Sequence, residues 1–200
     1  MSATAAEPWV GRRIKRKEDP RLIMGRARYI DDINVTGQLW AAFVRSPEAH
    51  AKITSIDTSE AEGMPGVVGV FTAESLGLAP DASAWNPMVA STLLASDRVR
   101  YVGEPIVAVV AESVEQAVDA AEMVFVDYDV LDAVVDVESA LASDTALFDS
   151  VPGNVVVDSV AFGMPDVSGD DFFADCEVTV SGTFVNQRVA PCPMETRSAA

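Results

Sequence analysis

The hydrophobic pattern is densest between residues 99 and 128. Val107 to Ala111 form an unbroken apolar run, the right length for a buried strand and too short for a helix. Directly after it, Val114, Ala117, Val118, Ala121 and Phe125 recur at i, i+3, i+4, i+7 and i+11. That spacing predicts an amphipathic helix, with Glu115, Asp119 and Glu122 on its other faces. Ser113-Val114-Glu115-Gln116 fits a capping box, in which hydroxyl and amide side chains satisfy backbone donors reciprocally, so the helix is expected to begin there. Val124 to Tyr128 then returns to strand character.

Upstream, short apolar runs alternate with turn chemistry. Tyr29 and Ile30 are strand-like and precede the pair Asp31-Asp32. Leu39 to Arg45 reads as a buried strand, ended by Ser46-Pro47 because proline lacks the ladder donor and restricts the residue before it. Ala51 to Asp57 follows as a second strand. Thr58 to Glu62 is one helical turn, stopped by Gly63 and Pro65, and Pro65-Gly66 launches the strand Val67 to Phe71. Thr72 caps a further turn through Leu76, and 77–97 is loop-like. Several short strands followed by strand, helix and strand predict an α/β (α+β) layer with a mixed sheet. Acids and small residues dominate from Asp132 to Val151 and Pro152-Gly153 closes the stretch, so a linker is expected over 136–152. Beyond it, Glu177 to Val185 alternates like a strand opening a second domain.

Composition narrows the class. The chain has 200 residues, 49% hydrophobic and 22% charged, which suits one good-sized core or a domain plus part of another. No run approaches the roughly 18 to 20 apolar residues of a membrane span, and no apolar segment precedes the basic cluster as in a secretory signal. Membrane insertion is not expected, and a cytoplasmic protein is. The net charge of −17 is unevenly spread. Residues 1–28 hold eight basic side chains against three acidic ones, while the remainder holds six against 28. A basic arm, 1–19, thus precedes an acidic body. No aromatics interleave the arm for base stacking and the body repels polyanions, so nucleic acid is not an expected partner; an acidic protein surface is.

Candidate chemistry is sparse. Cys176 and Cys192 are far from any C-x-x-C spacing and His50 is the one histidine, so zinc and iron–sulfur sites are not encoded here. The phosphate-binding loops G-x-G-x-x-G and G-x-x-x-x-G-K-[ST] are absent, as is a G-x-S-x-G elbow. Asp31-Asp32 reads as turn chemistry, Glu104 in Tyr101-Val102-Gly103-Glu104-Pro105 as part of a stiff turn, and His50 as a backbone partner fixing a loop. Pro191-Cys192-Pro193-Met194-Glu195 stands apart, since two prolines present Cys192, Met194 and Glu195 on a rigid loop of the kind binding sites favour.

Six segments, in order and spacing, carry a family resemblance: KRKEDPRLIMGRARYIDDI, LWAAFVRSPEAHAKI, MPGVVGVFTA, DRVRYVGEPIVAVVAES, AAEMVFVDYDVLDAVVD and TFVNQRVAPCPMETR. Together they resemble the large, molybdopterin-binding subunit of the xanthine dehydrogenase, aldehyde oxidase and aerobic carbon monoxide dehydrogenase family. Glu48 departs from it, in a turn where relatives often carry another histidine. The resemblance implies an α/β hammerhead domain over 20–135 and the start of a molybdopterin-binding domain over 153–200. It further implies an oxidoreductase that hydroxylates or oxidises a small substrate such as carbon monoxide, an aldehyde or a heterocycle with water-derived oxygen. Its cofactors would be molybdenum on molybdopterin, in the cytosine dinucleotide form, with 2Fe-2S and FAD in partner subunits. The segments that hold the pterin and the catalytic glutamate come later in such subunits. This chain is therefore expected to carry no catalytic, cofactor or metal residue and to be inactive alone, with Cys192, Met194 and Glu195 as a substrate-approach loop. Its expected partners are the remainder of the large subunit, an iron–sulfur small subunit and an FAD-binding medium subunit. A non-catalytic hammerhead scaffold or docking subunit is the alternative.

Overall fold

The computed structural model describes residues 10–83, 86–157, 163–165, 167, 170–186, 189–190 and 192–193. The chain divides into two units, Gly37–Ser181 and Met1–Thr36 with Gly182–Ala200. In the second, helix α1 (Asp19–Ile23) starts at Asp19-Pro20, where proline's missing N–H is no loss, and a 3-10 turn (Ile30–Asp32) follows. The Asp32 carboxylate accepts the Tyr29 N–H at 2.8 Å, which closes the chain into a turn where the sequence pattern suggested a strand.

The larger unit runs β1 (Trp40–Arg45), β2 (Ala51–Asp57), α2 (Ser59–Glu62), β3 (Val67–Thr72), β4 (Asp81–Ala82), β5 (Ala90–Ser91), β6 (Arg98–Val99), β7 (Pro105–Ala111), α3 (Val114–Ala121), β8 (Phe125–Val130) and α4 (Val137–Ala142). Two three-stranded sheets form, ordered β1-β7-β3 and β6-β2-β8, beside the pair β4-β5. The strand pairs among the described residues are antiparallel, where a mixed sheet was expected. The strand, helix and strand succession gives no parallel pair because β8 joins β2 in the other sheet rather than returning beside β7.

β7 is the central strand of its sheet, which is why its sequence is apolar throughout. Val107 and Val109 are fully buried and pack with Val44, Val70, Ile53 and Val126 of both sheets. On the opposite face Phe43 and Phe71 both lie across from Ala108, and Phe43 is 47% exposed.

Helix α3 starts where its cap predicts. The Ser113 hydroxyl accepts the Gln116 N–H at 3.3 Å. The reciprocal half of the capping box does not form, because the Gln116 side chain lies instead over Gly66, whose φ of +80° excludes most side chains. The buried face also differs from the periodic stripe. Ala117 and Ala120 are buried, while Val114 and Val118 are 44% and 46% exposed and Phe125 opens β8. Small side chains let the helix approach the sheet closely, so size rather than hydrophobicity selects the packed face.

The stretch 136–152, expected as a linker, carries α4, capped by Asp136, which accepts the Ser139 N–H at 2.9 Å. Asn154, at φ +57°, donates to Ala140 O and Thr145 O and accepts the Leu147 N–H, all within 3.0 Å. Arg98 meets Asp149 at 3.2 Å, and Ser150 donates to Met88 O at 2.6 Å. The acids and small residues that read as a linker are thus caps and turn formers in an ordered segment. Glu177 to Val185 forms no strand. Val178, Val180, Phe184 and Val185 are each more than three-quarters exposed, since alternation alone does not make a strand without a neighbour to pair with.

Candidate functional site

The most constructed polar arrangement lies where two loops meet at one end of the sheets. The turn after β1 and the turn before β7 are zipped by backbone bonds, Ser46 N–H to Glu104 O at 2.9 Å and Gly103 N–H to Ser46 O at 2.8 Å. Arg45 Nη1 adds a bond to Gly103 O at 2.9 Å. Gly103, at φ +90°, allows the tight turn that brings these groups together.

Inside this junction the Glu104 carboxylate is buried, 7% exposed, and accepts the Arg100 N–H at 2.5 Å. Burial pushes its pKa up from the ordinary value; the Arg100 amide, the Arg100 charge and the Tyr101 amide oppose that shift. Arg100 itself lies over the Phe148 ring at 4.6 Å and donates to Leu147 O at 3.0 Å, so one residue joins the junction to the segment after α4.

His50, 3% exposed, places Nδ1 at 2.8 Å from Asp132 O, and Leu131 N–H donates to His50 O at 2.9 Å. A carbonyl only accepts, so Nδ1 carries the proton, and Nε2 is buried without a hydrogen-bond partner among the described residues. Tyr128 belongs to the same neighbourhood: burial raises its phenol pKa, against a hydrogen bond with Ser46, and the Glu48 charge adds to the rise.

These groups hold loops. The Glu104 carboxylate is engaged by the turn it closes and His50 Nδ1 by the chain leaving β8, and neither residue lines the groove beside β2. Of the loop expected to approach substrate, Cys192 is exposed, with Sγ 3.7 Å from Ala190 O, while Met194 and Glu195 lie outside the described residues. Cys176 is a second free, exposed thiol. Among the described residues no three His, Cys, Asp or Glu side chains converge as a metal site, and no helix is long and apolar enough to cross a membrane.

Sequence reading had placed Glu104 and His50 as structural. It missed Arg100 and Asn154. Both act through backbone carbonyls distant in sequence, and no spacing rule reports such partners.

Residues 24–132 match the family described as aldehyde oxidase and xanthine dehydrogenase, a/b hammerhead domain. The chain is 44% identical over 195 residues to the nicotine 6-hydroxylase large subunit of Paenarthrobacter nicotinovorans, covering 94% of this chain and 23% of that one. It is 36% identical over 214 residues to the carbon monoxide dehydrogenase large chain of Afipia carboxidovorans, covering 98% and 26%. Among solved structures, quinoline 2-oxidoreductase from Pseudomonas putida 86 superposes with a TM-score of 0.62 at 39% identity, over 72% of this chain and 19% of that one. The chain thus spans between about a tenth and a quarter of the length of the curated relatives it matches. Two small antiparallel sheets, one of them packed by α3, matched in sequence across the whole unit from β1 to β8, make this chain a member of the aldehyde oxidase and xanthine dehydrogenase family, in its α/β hammerhead region.

Proposed function

We propose that the chain serves as the hammerhead part of a molybdenum hydroxylase large subunit and works only within the full assembly. The observation that carries this reading is the alignment of 94% of the chain with the nicotine 6-hydroxylase large subunit. In this proposal residues 20–135 are the hammerhead domain, 136–152 connect it onward, and 153–200 open the molybdopterin-binding domain. The reaction is oxidation of a small substrate with water-derived oxygen, in the cytoplasm. Molybdopterin, as the cytosine dinucleotide, belongs to the remainder of the large subunit, and the 2Fe-2S and FAD groups to small and medium partner subunits. The cofactor supplies the redox chemistry when bound. This chain's own part is mechanical: the Glu104, Arg100 and His50 junction fixes the loops at one end of the hammerhead, and the Cys192, Met194 and Glu195 loop borders the path of substrate.

The test is co-purification of the chain with the products of neighbouring genes, followed by elemental analysis and a dye-linked assay. Molybdenum and activity are expected in the assembly and neither in the isolated chain. Stoichiometric molybdenum retained by the chain alone would sink this reading. An assembly that forms without molybdenum would favour a non-catalytic docking subunit.

A further inference from the structure

We propose that the open edge of β2 receives, as an added strand, the basic N-terminal arm of a second copy of this chain. β8 lies along β2 from Ala51 to Asp57, but on its other side β6 pairs only with Ala51 and Lys52. The Ile53 N–H then donates to Asp97 O at 2.9 Å, and from Thr54 to Asp57 no strand lies on that side among the described residues. An edge left this way presents backbone donors and acceptors to any extended chain that can reach it.

Beside this edge runs a groove of about 410 Å³, walled by Ile53, Ser55 and Ile56 on one side and by Thr72, Glu74 and Ser96 on the other. Its lining suits a peptide segment, because hydroxyls beside apolar side chains match the alternating side chains of an extended strand. No lysine or arginine lines it. Glu74 stands in the wall, and of the charged residues flanking the lining in sequence Asp57 and Asp97 are acidic, Lys52 is basic and Arg98 is paired with Asp149, so the balance is acidic and favours a cationic occupant.

The arm meets that description. Residues 12–16 adopt neither helix nor strand, and Ile14, 62% exposed, stands between Arg13 and Lys15. Residues 1–28 hold eight basic side chains against three acidic ones, while the rest of the chain holds six against 28. The five residues 12–16 also match the length of the four-residue open edge. Exchange is reciprocal, each copy giving an arm and a groove, and it closes at two copies. The inference does not rest on the proposed enzymatic role.

The experiment is a sedimentation-velocity concentration series on the 200-residue chain, paired with hydrogen exchange at each concentration. A dimer is expected, with exchange at residues 54–57 slowed only where the dimer is populated. Combined Arg13→Glu, Lys15→Glu and Lys17→Glu should weaken it at least tenfold, as should combined Glu74→Lys and Ser96→Lys, both at exposed positions. All five substitutions together should restore it, because an acidic arm then meets a basic groove wall. A monomer at every concentration overturns the proposal. So does a dimer that survives the arm substitutions, or one protected elsewhere, such as the Phe43 and Phe71 face. Protection of 54–57 that is independent of concentration overturns it too, since the occupant is then not a second copy.

Discussion

Glu104 is a buried carboxylate whose ionisation the fold perturbs. Its folded pKa is raised by burial, so its contribution to stability is complete below the ordinary glutamate value of 4.5 and is lost as pH rises through the raised one. Glu104→Gln keeps an acceptor opposite the Arg100 N–H and removes the charge. Its stability relative to the parent should therefore improve as pH rises above the ordinary glutamate value of 4.5, measured by urea denaturation. Glu104→Ala leaves that buried N–H unsatisfied and should cost about 1–3 kcal/mol across the range. A parent and Gln variant with parallel pH curves would show that the carboxylate is not desolvated. His50 illustrates a different constraint. Its donated Nδ1 proton fixes the tautomer through Asp132 O, so the ring acts as a brace between the β1–β2 turn and the chain leaving β8.

At the scale of elements, α3 depends on a single cap. Ser113→Ala should destabilise the fold by about 1 kcal/mol, and Ser113→Asp should restore most of it, read from thermal or urea midpoints. Gln116→Ala should leave capping unchanged, because that side chain is spent on covering Gly66. The elements themselves were legible in the sequence wherever one local rule governed them. β2 matches the expected Ala51 to Asp57, β7 contains the run Val107 to Ala111 but begins two residues earlier at Pro105, and α3 follows its Ser113 cap. The helix face was not legible, since periodicity counts Val114 and Val118 as core while close approach to the sheet favours Ala117 and Ala120. Nor was the ordered stretch around α4. Its anchors, Asn154 and the Arg100 stack on Phe148, are chosen by partners that only the folded chain brings near. The loop around Cys192 was marked by its two prolines alone, a signal of rigidity that says nothing of what the loop faces.

At the scale of the molecule, order is unevenly distributed. Three hydrogen bonds converge on the Asn154 side chain, so Asn154→Gly, which keeps the left-handed backbone and removes them, should release residues 137–154 to limited proteolysis while the parent resists. Equal cleavage of both would mean the segment is held elsewhere. Hydrogen exchange should be slow from Val107 to Ala111 and fast from Thr179 to Val185, where the described side chains are exposed and no strand forms. Comparable protection of the two segments in a monomer would contradict that contrast. The position of β7 between β1 and β3 has a further consequence, for the order in which the protein can be made. Neither β1 nor β3 has its partner until β7, far downstream in sequence, has been synthesised, and β2 waits longer still for β8. A ribosome therefore exposes Phe43, Val44, Val70 and Phe71 well before anything can cover them. Sheets closed by such distant pairings form slowly, and the nascent chain passes through a window in which its apolar strands are open to chaperones or to one another.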